Sequence, residues 1–332
     1  MVQVRGLIGY LARMAALLIA LSALTIALVK ASLVDPLSTN VGQVGMAGLG
    51  QEQRQRLADY WGDNQSFCTA WMGWLRNALR GDLGVSLRFN QPVVDVLVSR
   101  AGNTVLLMFV AWLLAGLVGF ALGMVAGTCQ GRVVDRVIKA VMLVLASAPA
   151  FWFGLVILAV FSGWLGWLPS GLSAPAGVAA ADVQGVDRLR HLILPALTLA
   201  LVGMPQIVLH TREKTIDVMA RPYARFAQAR GYSRAQVAWR HGVRNVAVPA
   251  LVVQCASVAE IFGGSVLVEQ VFSYPGLGQA AVVAGLGGDA DLLVGIAVVS
   301  AVIVMLGNSA ADAISRGLGP QGAGPRLAKE NR

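Results

Sequence analysis

Few side chains in this sequence have the type and spacing to do chemistry, and those few point to carrying and gripping rather than to bond making. The sharpest is Glu260, an acid set deep in an apolar run. Inside a membrane a charge there is costly and marks a cavity, a partner or the path of a solute; the competing reading is a hydrogen bond between packed helices. Glu269, near the outer end of the same run, is expected simply to reach water. His191, His210 and His241 are scattered and form no i, i+4 metal pair. Cys68, Cys129 and Cys255 make neither a CxxC pair nor a disulfide framework. Of Lys30, Lys139, Lys214 and Lys329, none follows a glycine, so no G-x4-G-K-[ST] phosphate cradle exists. No Ser/His/Asp or Cys/His set is readable either. The chain is expected to be no enzyme and to need no cofactor.

The largest cluster of functional residue types is the stretch Arg221 to Pro249, which holds Arg221, Arg225, Arg230, Arg234, Arg240 and Arg244 and no acid. A short loop this basic stays on the cytoplasmic side of a membrane. It also carries helix grammar. Pro222 suits a first helical position; Tyr223, Phe226, Ala227 and Arg230 recur at helical spacing; Gly231 supplies a left-handed stop. Ser233 with Gln236 fits a capping box, so a second short helix is expected through Trp239 to about Arg244. Two short helices joined at a glycine under a membrane make a knob.

These residues are presented by a chain that is 56% hydrophobic and only 13% charged, with mean hydropathy +0.67. Soluble domains average about 25% charged residues, so the expected class is an all-α polytopic membrane protein. The net charge of +9 sorts by membrane side, which argues for a lipid bilayer and against nucleic acid as partner. Six crossings are expected: 7–29 (kept as an anchor rather than cleaved), 103–128, 137–161, 191–210, 249–269 and 292–314. Pro149 interrupts the third, and Pro195 and Pro205 lie in the fourth; prolines are tolerated where neighbouring helices or a wet cavity satisfy the freed carbonyls. Pro149 and Pro205 therefore join Glu260 as candidates for a translocation pathway. Gly116, Gly119, Gly123 and Gly127 would let another helix approach the second crossing closely. Residues 92–100 read either as an amphipathic interfacial piece or as the start of that crossing. Both ends are expected inside, giving an organisation of 1–102 (first helix plus extracytoplasmic loop with Trp61, Trp71 and Trp74), 103–318 (core with a loop 211–248) and a cytoplasmic tail 319–332.

The basic stretch resembles the cytoplasmic signature loop of membrane subunits of binding-protein-dependent ABC importers, whose pattern is E-A-A, three residues, then Gly. Here Arg225-Phe226-Ala227 stands in the E-A-A slot and Gly231 in the glycine slot. The departure at the first two positions matches the variant of the oligopeptide, dipeptide and nickel permeases, with Arg225, Ala227, Ala229, Arg230, Gly231, Arg240, His241, Arg244, Asn245 and Pro249 in step. Gly81-Asp82-Leu83-Gly84 with Ser86, Pro149-Ala150-Phe151-Trp152, Gly263-Gly264, Val268-Glu269 and Phe272 to Gly278 extend the likeness over most of the chain. It implies a type I importer permease fold and ATPase coupling through Tyr223, Arg225, Phe226, Ala227, Ala229, Arg230 and Gly231. The implied partners are two ATP-binding cassette subunits, a second homologous permease and an extracytoplasmic solute-binding protein, in a bacterial inner membrane. An acid before I/L-x-Gly-Gly is similar to the nickel-type members, which tilts the expected passenger to nickel or a metal chelate, with dipeptides or oligopeptides as the alternative. Asn308 and Asp312 are similar to a polar pair of the family and are expected to bind a neighbouring helix. An ion-coupled carrier or channel, and a receptor or scaffold, are the readings from other classes.

Overall fold

The computed structural model describes residues 2–32, 66–174 and 185–318, and Thr39, Gly50, Glu52, Gln53 and Arg56 besides. Trp61, residues 175–184 and the tail 319–332 lie outside the described residues.

Apolar runs too long for a globular core become helices, since a helix satisfies its own backbone in hydrocarbon. In chain order they are α1 (Val2–Ala31), α2 (Phe67–Ala78), a hairpin of β1 (Val85–Ser86) and β2 (Gln91–Pro92), α3 (Val93–Thr128), α4 (Val133–Ser147), α5 (Ala150–Ile157) with a π-turn Leu158–Trp164, and α6 (Gly185–Met219). Beyond α6 come α7 (Pro222–Ala229), α8 (Arg234–Val237), a π-turn Ala238–Gly242, α9 (Val243–Ala256), α10 (Val258–Val271), α11 (Leu277–Leu286) and α12 (Ala290–Leu318). Four stretches are long and apolar enough to cross a membrane singly: Gly9–Ala31, Val93–Thr128, Gly185–Met219 and Ala290–Ile314. Of the segment 92–100, Pro92 ends β2 and residues 93–100 are the first turns of α3, continuous with the crossing.

The expected third and fifth crossings are bent pairs, and the total reaches 6 only if each pair is one crossing. Val133–Ser147 and Ala150–Trp164 meet at 107°. The cause is Pro149, whose ring forces the preceding residue out of the helical region: Ala148 has φ −101°, ψ 145°. The second pair, Arg234–Ala256 and Val258–Val271, bends by 50° at Ser257. Pro249 lies within α9 and does not end it.

The chain divides into two compact units. The first is Met1–Phe109, Ala150–Thr198 and Gly263–Met305. Its core sets Val93, Val96 and Leu97 against Leu277, Ala280, Ala284, Leu292 and Ile296. The short hairpin pairs Val85 with Pro92 and Ser86 with Gln91, and α2 lies on α1, the Trp71 indole N–H donating to Ser22 Oγ at 3.2 Å.

The second unit is Val110–Pro149, Leu199–Phe262 and Leu306–Arg332. Here the glycine face of α3 is in use. A Cβ on Gly123 would lie 2.5 Å from Thr211 Cβ, and one on Gly127 2.5 Å from Thr215 Cβ, so only glycine lets α3 and α6 touch. At the same end Arg212 grips Asp135 through two bonds, of 2.5 and 2.9 Å. Higher up, α3 and α9 exchange bonds: Trp112 Nε1 donates to the Gln254 carbonyl (2.7 Å) and Gln254 Nε2 donates to the Trp112 carbonyl (2.6 Å). The Ser257 hydroxyl also donates to the Gln254 carbonyl, at 2.8 Å. A polar backbone group next to the bend is in this way satisfied inside hydrocarbon.

Candidate coupling surface and pathway

The knob begins where α6 stops. Arg221 takes an extended N-cap conformation (φ −70°, ψ 150°) and Pro222 occupies the first turn of α7, where its missing N–H is no loss. The helix ends in a Schellman motif: Gly231 N–H reaches the Gln228 carbonyl (2.9 Å) and Tyr232 N–H the Ala227 carbonyl (3.2 Å). Gly231 carries φ 91°, which a side chain would strain. The capping box then forms as the spacing predicts, Gln236 N–H donating to Ser233 Oγ (3.3 Å) and Ser233 N–H to Gln236 Oε1 (2.9 Å).

The second short helix is a correction. From Ser233 the chain runs through α8 and the π-turn straight into α9. The expected end near Arg244 is absent: Gly242 keeps φ −88° and Arg244 lies inside α9. The knob is one short helix, α7, hinged by Gly231 onto the foot of a long bent one.

Its two faces differ in kind. Ala224, Val237 and Ala238 are fully buried against Met124, Val218, Met219 and Val246, with Ala227 packed beside them. Pointing away are Tyr223, Phe226 (60% exposed), Tyr232 and Trp239 (54% exposed), with Arg225, Ala229, Arg230 and Gly231 also exposed. The Arg230 guanidinium lies 4.7 Å over the Phe226 ring, Tyr232 meets His241 edge-on, and Asn245 Nδ2 donates to the Tyr223 hydroxyl at 3.1 Å. Aromatic rings and arginines on a packed base are the make-up of a protein-binding surface.

The pathway candidates are less gathered. Glu260 is exposed in the first turn of α10, just past the bend at Ser257. Pro149 is exposed at the sharp bend after α4, whereas Pro205 is buried within α6. A cavity of about 300 Å³ in the second unit, with Trp112, Ala250 and Gln254 in its wall, is lined by none of the three. Asn308 and Asp312 are exposed. His191 Nδ1 sits 2.6 Å from the Gly171 carbonyl, and among the described residues no group of three or more His, Cys, Asp or Glu could hold a metal ion.

Of the two acids in the 249–269 run, the one in the interior is Glu269, 0% exposed where open water was expected. Its carboxylate accepts from the Thr104 hydroxyl (2.8 Å) and from Gln279 N–H (3.0 Å), while Leu277 N–H donates to Thr104 Oγ1 (2.8 Å). Gly276 and Gly278 leave room for it; a Cβ on Gly276 would strike the carboxyl group. The Phe272 to Gly278 motif is therefore a loop folded around a buried acid. Beside it, burial and then the Glu269 charge push the Tyr274 hydroxyl up to about 12. The first motif has a similar cause. Ser86 Oγ donates to buried Asp289 at 2.6 Å, and Gly84 (φ 85°) faces Asp291 with no room for a side chain. The sequence signal for Glu269 is an acid in an apolar run followed by a Gly-x-Gly turn.

Residues 119–321 match the family of binding-protein-dependent transport system inner membrane components. The chain belongs to that family. This permease is 32% identical over 299 residues to the oligopeptide transport system permease protein AppB of Bacillus subtilis (strain 168), covering 89% of this chain and 92% of the relative. It is 33% identical over 245 residues to the glutathione transport system permease protein GsiC of Escherichia coli O6:H1, covering 74% of each. Its fold is matched in a solved inward-facing structure of the MetNI methionine ABC transporter, at TM-score 0.53 and 16% identity over 68% of this chain and 97% of that one. The permease is thus an all-α, multi-pass inner-membrane component of an ABC importer, distinct from the ATPase that drives it.

Proposed function

We propose that this permease is one half of the translocation path for short peptides, glutathione-sized to oligopeptide, and that α7 is its grip on an ATP-binding cassette subunit. The substrate reading rests on the relatives named for oligopeptide and glutathione transport. They weigh more than the single acid before Ile-x-Gly-Gly that tilted the expectation to nickel. The coupling reading rests on one observation: Tyr223, Phe226 and Arg230 face outward on a helix whose other face is fixed to the core by Ala224 and Ala227. Closure of two ATPases would move α7, and α9 with it, because Gly231 and the capping box join them in a single turn. We further propose a second permease and an extracytoplasmic binding protein as partners, with both termini and the knob cytoplasmic. Glu260, past the bend, is proposed to face the passenger.

The test is uptake into proteoliposomes holding the permease, its partner permease, the ATPases and the matching binding protein. Labelled di- and oligopeptides should enter only with ATP, and unlabelled peptide or glutathione should compete where Ni(II) does not. Uptake driven by an ion gradient without ATPase would overturn the importer reading, and competition by Ni(II) alone would restore the metal.

A further inference from the structure

The cavity of the second unit opens between α3, α6 and α9. Gly116, Ala247 and Ala250 hollow it, Trp112 and Gln254 close one end, and Leu117 and Leu251 stand exposed at its mouth. At about 300 Å³ it is at the small end of ligand sites, on the scale of one hydrocarbon chain. At its closed end the glycine at 116 makes room for Gln254: a Cβ there would meet the Gln254 amide at 3.1 Å. Such a void left empty forfeits the contacts of its lining, which is apolar apart from Trp112 and Gln254, whose buried Oε1 accepts no hydrogen bond among the described residues. Leu117 stands on a stretch long and apolar enough to cross a membrane, and Leu251 on the bent pair that crosses if it is one span; an apolar mouth on such helices faces acyl chains wherever no other helix covers it.

The second observation is charge. Arg244 is exposed and precedes Ala247 by three residues and Leu251 by seven, so it shares their face of α9. It sits roughly 4.5 Å below Ala247 along the axis, on the side of the basic loop. No acid occurs between Arg221 and Ala259 to compete for it, and a guanidinium is the side chain best shaped for a phosphate. We infer that this cavity binds one acyl chain of an anionic phospholipid from the adjoining leaflet, with Arg244 holding the phosphate.

The test uses the full-length permease in its assembled complex, in nanodiscs of phosphatidylcholine with a minor fraction of lipid brominated in mid-chain. Bromine quenches indole on contact, and the Trp112 share of quenching is the difference between wild type and Trp112→Phe. Brominated phosphatidylglycerol should quench Trp112 more effectively than brominated phosphatidylcholine, by about fivefold in apparent affinity, the preference one basic residue gives near a membrane surface. Arg244→Gln, a surface change, should remove that preference while leaving quenching by either lipid in place. Ala250→Phe should fill the cavity and abolish the Trp112 share for both. The inference is overturned if Trp112 is quenched by neither lipid, the result expected were a partner helix to cover the mouth. It is equally overturned if the two lipids quench alike in wild type, or if Arg244→Gln keeps the preference.

Discussion

Glu260 and Glu269 sit nine residues apart in one apolar run and live in opposite surroundings. Glu269 is enclosed, and its two oxygens are what Thr104 and Gln279 donate to. Glu269→Ala leaves both donors buried without partners, at about 1–3 kcal/mol each, so it should lower the thermal unfolding temperature in detergent by a clear margin. Glu260→Ala removes an exposed group and should change stability by no more than about 0.5 kcal/mol, while slowing uptake if the side chain faces the passenger. Equal losses of stability in the two variants would contradict the assignment. The sequence cannot separate these acids, because what distinguishes them is 165 residues away at Thr104. Hydropathy places both in hydrocarbon and says nothing about which one has donors waiting.

Helix α7 is readable nearly residue by residue, since its signals act over three to five positions: Pro222 at the start, Gly231 at the stop, Ser233 with Gln236 at the restart. The run from Trp239 into α9 is not: no signal within a few residues of Arg244 tells a short helix ending there from a long one running on, and Gly242 keeps φ −88°. The two faces of α7 predict different failures. Phe226→Asp and Arg230→Glu alter the exposed face, so the permease should fold and insert normally yet lose its ATPase in co-purification. If these are central contacts, each costs on the order of 2 kcal/mol of binding, about thirtyfold in affinity. Ala227→Arg drives a long charged chain into the packed base and should impair both folding and co-purification. Gly231→Ala keeps both faces but strains the turn by about 1–2 kcal/mol, and a partial loss of coupling with normal ATPase binding is expected. Full co-purification with Phe226→Asp would place the ATPase elsewhere.

For the molecule as a whole the open quantity is the number of crossings, four by single helices and six if each bent pair spans. Charge patterning predicts six, since on that count every short loop obeys the charge rule except for Arg188 and Arg190; the bends of 107° and 50° are invisible to hydropathy, since Pro149 breaks a helix while Pro195, Pro205 and Pro249 do not. Membrane-impermeant maleimide labelling decides between the counts by parity. In a background with Cys68 and Cys129 replaced by Ser, single cysteines at Gln130, Ser170, Ala229 and Leu286 are all on exposed positions. Between Ser170 and Ala229 the crossing stretch among the described residues is α6, which is unbroken, so those two should label from opposite sides. Between Gln130 and Ser170 lies the first bent pair, and between Ala229 and Leu286 the second. If both pairs cross, Gln130 and Ala229 label only in inverted vesicles, with the arginines, and Ser170 and Leu286 only in intact cells. A re-entrant first pair puts Gln130 with Ser170; a re-entrant second pair puts Leu286 with Ala229. The importer reading requires the six-crossing pattern with Ala229 inside, because an ATPase in the cytoplasm can grip α7 from no other side.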